Sequence, residues 1–473
     1  MDAMVDKLRR DAEEHVLWGT PGDESRPRTV FVAQQTELPA ALRIRLQSSY
    51  PSYRRAQIGS ERGAFQWNVR EWGGLAGGTL QPVNARGDHE GLVAWRAGVE
   101  FEAYSDHFEI RLGPELRLDA GCSEDLVCGS APLTEAMLAV NVGGFRLDFG
   151  SEQRETGPGA RGNLVLGRSI RPWPAGTIHY ARDSKFGLLA AEMGIGWLPG
   201  ERTDVMNPGL MHMDFRWSPS ALLEFGLTRA TMFGGEGRPL PTVFDLILPS
   251  QPHVSGDPDK ILADSNEIAA VDARFDLPLG RWWGIPVQRL SLWYQYGGED
   301  LIMSELGPIP VPSLGGPANL YGGSLSFGEM ELTIERAQLM DDTFRWYTGH
   351  RVYHEGFVRD GQAIGHPHGG DADSFWLEWA YYGSPLGMSV HVEKVRKVGV
   401  VSANPGGVFT LATDESSLRG GVRFWMLPIR GGHIGVGYSV QRLEGEGFIP
   451  GALSWHHRGG VEMTRPLRSM PRR

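Results

Sequence analysis

Residues 346–374, WYTGHRVYHEGFVRDGQAIGHPHGGDADS, hold the densest set of side chains able to bind or react. His350, His354, His366, His368, Asp371 and Asp373 lie there with Tyr347, Tyr353 and Phe357. Imidazoles and carboxylates bind transition metals, but metal sites impose characteristic ligand spacings. His-Pro-His followed by Asp-Ala-Asp has no such spacing, so neither a metal nor any other cofactor is expected. Hydrolysis through a serine needs a neighbouring base and a nucleophile elbow. No Gly-x-Ser-x-Gly segment occurs, and the chain is not expected to be an enzyme. Binding is the chemistry left. Tyr353, Arg359, His366, Asp371 and Asp373 are the candidates for it, as aromatic and polar groups on an ordered loop. The same groups could instead stitch a loop together, because buried polar groups must be paired in either case.

Two further segments carry charge next to turn signals. In residues 150–174, Gly157-Pro158-Gly159 fixes a tight turn flanked by Glu152, Arg154 and Arg161. The Gly-Lys-Ser/Thr ending of a phosphate loop is missing, so nucleotide binding is not implied. An ordinary strand-to-strand connection would look the same. In residues 264–278, Asp272, Arg274 and Asp276 share one face of a strand with Asn266, opposite Val271, Ala273, Phe275 and Leu277. That pattern reads as a structural ion-pair ladder on an enclosed face. Cys122 and Cys128 are the two cysteines; they could close a small disulfide in an oxidising compartment or remain thiols.

The elements that would hold these residues show period 2. In LMHMDFRWS, Met211, Met213, Phe215 and Trp217 oppose His212, Asp214 and Arg216. In DSFWLEWAYY, Phe375, Leu377, Trp379 and Tyr381 oppose Glu378, and in GMSVHVEKV, Met388, Val390 and Val392 oppose His391 and Glu393. No apolar run approaches the ~20 residues of a spanning helix. A membrane protein with this sequence would therefore have to be a closed barrel. A mean hydropathy of −0.27 does not oppose this, because only alternate residues of a barrel meet lipid. The net charge of −11 argues against a nucleic-acid partner.

A soluble sandwich also alternates, so the connections have to decide. From residue 210 onward eleven strands can be read, joined by 218–220, 234–266, 279–286, 301–318, 327–329, 340–372, 384–386, 398–415, 428–431 and 445–454. Short and long connections alternate throughout, as they do where periplasmic turns are short and surface loops long. Earlier strands are expected within 66–75, 91–105, 107–120, 134–154, 163–168, 177–182 and 187–198. The fold class is therefore all-β, a transmembrane antiparallel barrel. Met211, Phe215, Phe375, Trp379 and Val390 are expected to face lipid, and His212, Arg216, Glu378 and His391 to face inward. Residues 1–28 read as a short amphipathic periplasmic helix with Met4, Leu8, Ala12 and Val16 on one face and no apolar signal core. A secretion signal would then have been removed or would lie upstream. The barrel is assigned 29–466, and 467–473 form a basic tail.

These segments resemble the Wzi family of capsule-assembly outer-membrane β-barrels. The resemblance rests on Arg154…Gly157-Pro158-Gly159 running on to Gly162-Asn163-Leu164, and on Asn266-Glu267-Ile268-Ala269…Asp272 after a long loop. It rests most on Tyr353…Gly356…Gly361…Ile364-Gly365-His366…Gly370-Asp371…Asp373, with SSYPS near residues 48–52 also fitting. The family usually has Trp before Gly-Pro-Gly where this chain has Thr156, and its N-terminal helical bundle is reduced here to one short helix. The resemblance implies a barrel of about 18 strands with a largely blocked interior. It also implies a monomeric outer-membrane lectin that organises capsular polysaccharide. Bottom-up, a porin or sugar-permeable channel remains the alternative.

Overall fold

In the computed structural model of the chain, the described residues are 66–78 and 93–469, except for the connecting stretches 105–106, 121–126, 131–132, 143, 168–170, 201, 243–245, 248–264, 280, 283–284, 307–308, 341–345, 348–349, 351, 360–361, 371, 384, 404–408 and 427–432. The expected N-terminal helix (1–28), SSYPS, Cys122 and Asp371 lie outside the described residues.

Among the described residues one antiparallel sheet of 20 strands dominates. Two of the 20 are short additions, Val127–Ser130 and Arg281–Trp282. The other 18 form a ring: β1 (Gln66–Gly78), β2 (Val93–Tyr104), β3 (Phe108–Ala120), β4 (Leu133–Val142), β5 (Phe145–Glu152), β6 (Trp173–Ser184), β7 (Gly187–Trp197), β8 (Gly209–Ser220), β9 (Leu223–Phe233), β10 (Asn266–Pro278), β11 (Ile285–Leu306), β12 (Ile309–Phe327), β13 (Met330–Gln338), β14 (Ala372–Tyr381), β15 (Leu386–Ala403), β16 (Phe409–Met426), β17 (His433–Glu444) and β18 (Leu453–Ser469). Each strand pairs with the next, and β18 pairs with β1 along Asn68↔Ser469 to Gly78↔Arg458, which closes the sheet. Closure satisfies both edges, as a sheet in hydrocarbon requires. The eleven strands expected after residue 210 are present as β8 to β18.

The connections at 144, 185–186, 221–222 and 328–329 are tight turns at one end of the ring, and the long connections gather at the other. Several expectations need correction. Residues 134–154 are two strands, because Gly144 turns at φ +88°. The described part of the expected 163–168 strand, residues 163–167, is not a strand: Leu164, Val165 and Leu166 are all fully buried, which an alternating wall strand would not allow. The presumed loops 301–318 and 398–415 are long hairpins, since the β11–β12 and β15–β16 ladders run on through Leu306↔Ile309 and Ala403↔Phe409.

Alternation sets the two faces. Phe215, Leu227, Val271, Leu292, Phe375, Val390 and Val392 are exposed on the outside, and Trp379 shares that face half-buried. Arg216, Glu378 and Glu393 are buried on the inside, and His391 lies on that inner face half-buried. Met211 stands on the outer face as expected but is buried there, packed against Phe233 and Leu246.

Candidate functional site: an inner plug and its outer cap

The inner wall carries charge in pairs. Across β3 to β8, Glu109 (β3), Arg146 and Asp148 (β5), His179 (β6), Glu192 (β7) and His212 (β8) form one chain. Its links are Arg146–Glu109 2.9 Å, Arg146–Asp148 2.7 Å, His179–Asp148 2.6 Å, His179–Glu192 3.0 Å and His212–Glu192 3.0 Å. Farther round, Arg216 pairs with Asp214 at 3.0 Å and also with Asp272, and Arg274 pairs with Asp276 at 3.1 Å. The ladder expected on 264–278 is thus present. In these pairs each charge removed from water is met by an opposite one, which favours its burial.

Two long connections fold into the ring from the long-connection end. The first, between β5 and β6, turns at Gly157 with φ +120°, a conformation that side chains other than hydrogen rarely adopt. Asn163 holds the turn, accepting from the Gly159 amide at 2.8 Å and donating to Glu155 at 2.9 Å. The turn hangs on the wall through one carboxylate. Glu335 of β13 accepts from the amides of Ala160 (2.6 Å), Arg161 (3.0 Å) and Gly162 (3.3 Å) and from the Trp293 indole (3.1 Å). Gln295 of β11 accepts from the Leu164 amide at 2.8 Å. Arg161 reaches Glu393 of β15 at 2.8 Å, which His368 also meets at 2.9 Å.

The second connection, between β13 and β14, packs on the first. Trp346, Tyr347, Tyr353, Phe357 and Ile364 are fully or almost fully buried with Leu164 and Leu166 in one core. That core also takes inward residues from strands between β6 and β15, including Trp173, Leu210, Ile268, Leu320 and Val395. The Tyr347 hydroxyl donates to the Leu164 carbonyl and accepts from the His366 amide at 2.7 Å. A β-carbon on Gly365 would lie 2.1 Å from that hydroxyl, so only glycine lets the two segments approach. Burial pushes the Tyr347 hydroxyl above its ordinary pKa. Burial likewise lowers His366 and His368, helped for His366 by the neighbouring His368 and Arg161.

The sequence-assigned binding residues therefore separate. Tyr353 is buried and its hydroxyl donates to the Gly234 carbonyl at 2.9 Å. Arg359 donates to the carbonyls of Pro199 (2.9 Å), Arg171 (2.7 Å) and Pro172 (3.2 Å), tying three connections together. His366 is buried in the plug. Asp373 faces the opposite way, on the outer wall, paired with Arg336 at 2.9 Å. Arg154 is buried and donates to the carbonyls of Glu152 and Trp173, and Asn266 is buried at the start of β10.

Above the plug the connections 198–208, 234–242 and 352–359 meet in a cap; of these, sequence reasoning assigned binding residues only in 352–359. Arg202 and Asp204 form its base: Arg202 bonds Asp204 at 2.8 Å and the Gly356 carbonyl at 3.2 Å. Burial opposes the Asp204 charge, but bonds from Arg202 and from the Glu355 and Val205 amides outweigh it and hold its pKa low. Toward solvent, Thr203 pairs with Glu355 and Asn207 with Glu236 at 2.9 Å, around exposed Met206 and Leu240. Arg238 lies over the Tyr353 ring, 5.5 Å from its centroid. The local signals at this place, Pro199-Gly200, Asn207-Pro208 and Gly234-Gly235, mark no more than turns.

A closed ring of 18 antiparallel strands, apolar outside, ion-paired inside and filled from its long-connection end, is an outer-membrane β-barrel with an internal plug. The family model for capsule assembly protein Wzi matches residues 90–444, and the chain belongs to that family. Among solved structures it is similar to Escherichia coli Wzi, described as an outer membrane protein involved in group 1 capsule assembly and a carbohydrate-binding β-barrel. The two are 16% identical over 96% of this chain and 97% of that one, with a TM-score of 0.61. Pseudomonas aeruginosa OprD is similar at 11% identity over 88% of this chain and 98% of that one, TM-score 0.51. No curated protein sequence matches the chain.

Proposed function

We propose that this barrel binds exported or capsular polysaccharide at the cell surface and organises it there, as a monomer and without catalysing a reaction. The observation that carries the reading is the division of labour among the long connections. Their buried residues, among them Tyr353, Arg359 and His366, fill the ring, while Thr203, Asn207, Glu236 and Glu355 point out of it. Paired amide, carboxylate and hydroxyl groups around exposed apolar side chains suit sugar hydroxyls and ring faces. That E. coli Wzi is described as a carbohydrate-binding β-barrel supports the same reading. The cap replaces the buried Tyr353 and Arg359 as the expected contact surface, with Asp371 left as a further candidate.

The test uses cells lacking the chain and complemented with it. The Asn207→Ala/Glu236→Ala variant should be recovered folded and heat-modifiable in the outer membrane, yet retain less surface polysaccharide than wild type. Undiminished retention would reject the cap as the contact surface.

A further inference from the structure

On the outer face of the wall the Arg229–Glu267 ion pair is almost fully buried, unlike the Arg336–Asp373 pair on the same face. On β9, Phe225 and Leu227 face outward and are exposed, and Arg229 follows on the same face, yet it is only 5% exposed. Glu267 lies on the outer face of β10, which Val271 continues in exposed form, and is 1% exposed. Arg229 donates to Glu267 at 2.5 Å and to the carbonyls of Leu246 (3.0 Å) and Ile247 (2.8 Å). Its guanidinium is thus shared between the wall and a segment that has left the wall. The Leu246 amide donates to the Thr242 carbonyl at 3.2 Å, and Leu246 lies against the outer face. Leu246 packs on Met211, Met213 and Phe233. Ile247 is 41% exposed.

Burying Leu246 here is favourable in water too, but a loop in water gains nothing by holding Ile247 exposed beside an exposed apolar wall. A loop seated in hydrocarbon does, provided its carbonyls and any outward charge are satisfied. Arg229 and Glu267 meet that condition for each other, and Arg229 meets it for both carbonyls. The exposed Met193 and Ile195 of β7 share the outer face, and Phe215, Leu227 and Val271 continue it away from the rim. We infer that the Leu246-Ile247 turn is a lipid-contacting flap, seated in the hydrocarbon edge of the outer leaflet and clamped by Arg229 and Glu267. Its partner is the acyl chains of that leaflet. The same connection carries Glu236 and Arg238 to the cap, so one loop touches both the membrane and the solvent-facing surface.

Spin labelling tests it on the full chain with Cys122 and Cys128 replaced by serine, reconstituted in phosphatidylcholine vesicles. A nitroxide at Ile247→Cys is compared with labels at Leu227→Cys in the apolar belt and Glu236→Cys in the cap. The expected accessibility at 247 matches 227: high to oxygen, low to a water-soluble nickel chelate. Accessibility like that at 236 would overturn the inference. Protection from both reagents would also overturn it, pointing to protein cover such as a second copy. Arg229→Met should shift the 247 label toward the nickel-accessible pattern while heat-modifiability persists. A label that stays in lipid would remove the clamp from the proposal.

Discussion

Glu335 concentrates much of the plug's attachment in one side chain. It accepts three consecutive backbone amides and an indole, and each buried donor left without an acceptor costs about 1–3 kcal/mol. Glu335→Ala should therefore release the 157–164 turn without breaking any ladder bond. The expected outcome is higher conductance in planar bilayers from a barrel that remains heat-modifiable; conductance equal to wild type would show that the turn is held elsewhere. His366 and His368 add a pH dependence. Their pKa values in the plug lie below the ordinary value, so the released loop takes up protons first as pH falls. Plug stability is fully present above about pH 6.5 and is lost below it. Conductance should rise on acidification through that window, and His366→Gln/His368→Gln should flatten the rise. At this scale the sequence was least informative. Tyr353 and Arg359 were recognisable as concentrated binding chemistry, but their partners lie 119 and 160 residues away, and no local pattern reports a carbonyl at that distance.

The strands were legible because a period of 2 repeats in every wall segment and a slip of one residue would invert both faces. Arg216, Glu378, Phe215 and Val390 all lie on the faces assigned to them. What misled was length. Residues 301–318 and 398–415 carry proline, glycine and charge like loops, yet backbone pairing extends the hairpins through much of them. Leu164-Val165-Leu166 misled in the opposite direction, since an apolar triplet buried on all sides resembles a wall strand. The face assignment is best tested on β15, where outward Val392 is exposed and inward His391 is half-buried. Val392→Arg should cost about 2–4 kcal/mol in folding into lipid vesicles if it lies near the midplane. His391→Arg should cost far less. Equal costs would refute the alternation.

For the whole molecule, ring closure through β1 and β18 and the gathering of long connections at one end follow from barrel geometry. The plug does not follow from it, because the same wall accommodates open channels. What distinguishes this barrel is that the long connections spend their aromatic and cationic residues inside the ring and leave amide, hydroxyl and carboxylate pairs outside. The most direct measurement of the resulting function is equilibrium binding between the purified, heat-modifiable protein and the polysaccharide exported by its own source cell. Saturable binding that Asn207→Ala/Glu236→Ala weakens is the expected result. Folded protein that shows no saturable binding would contradict the account.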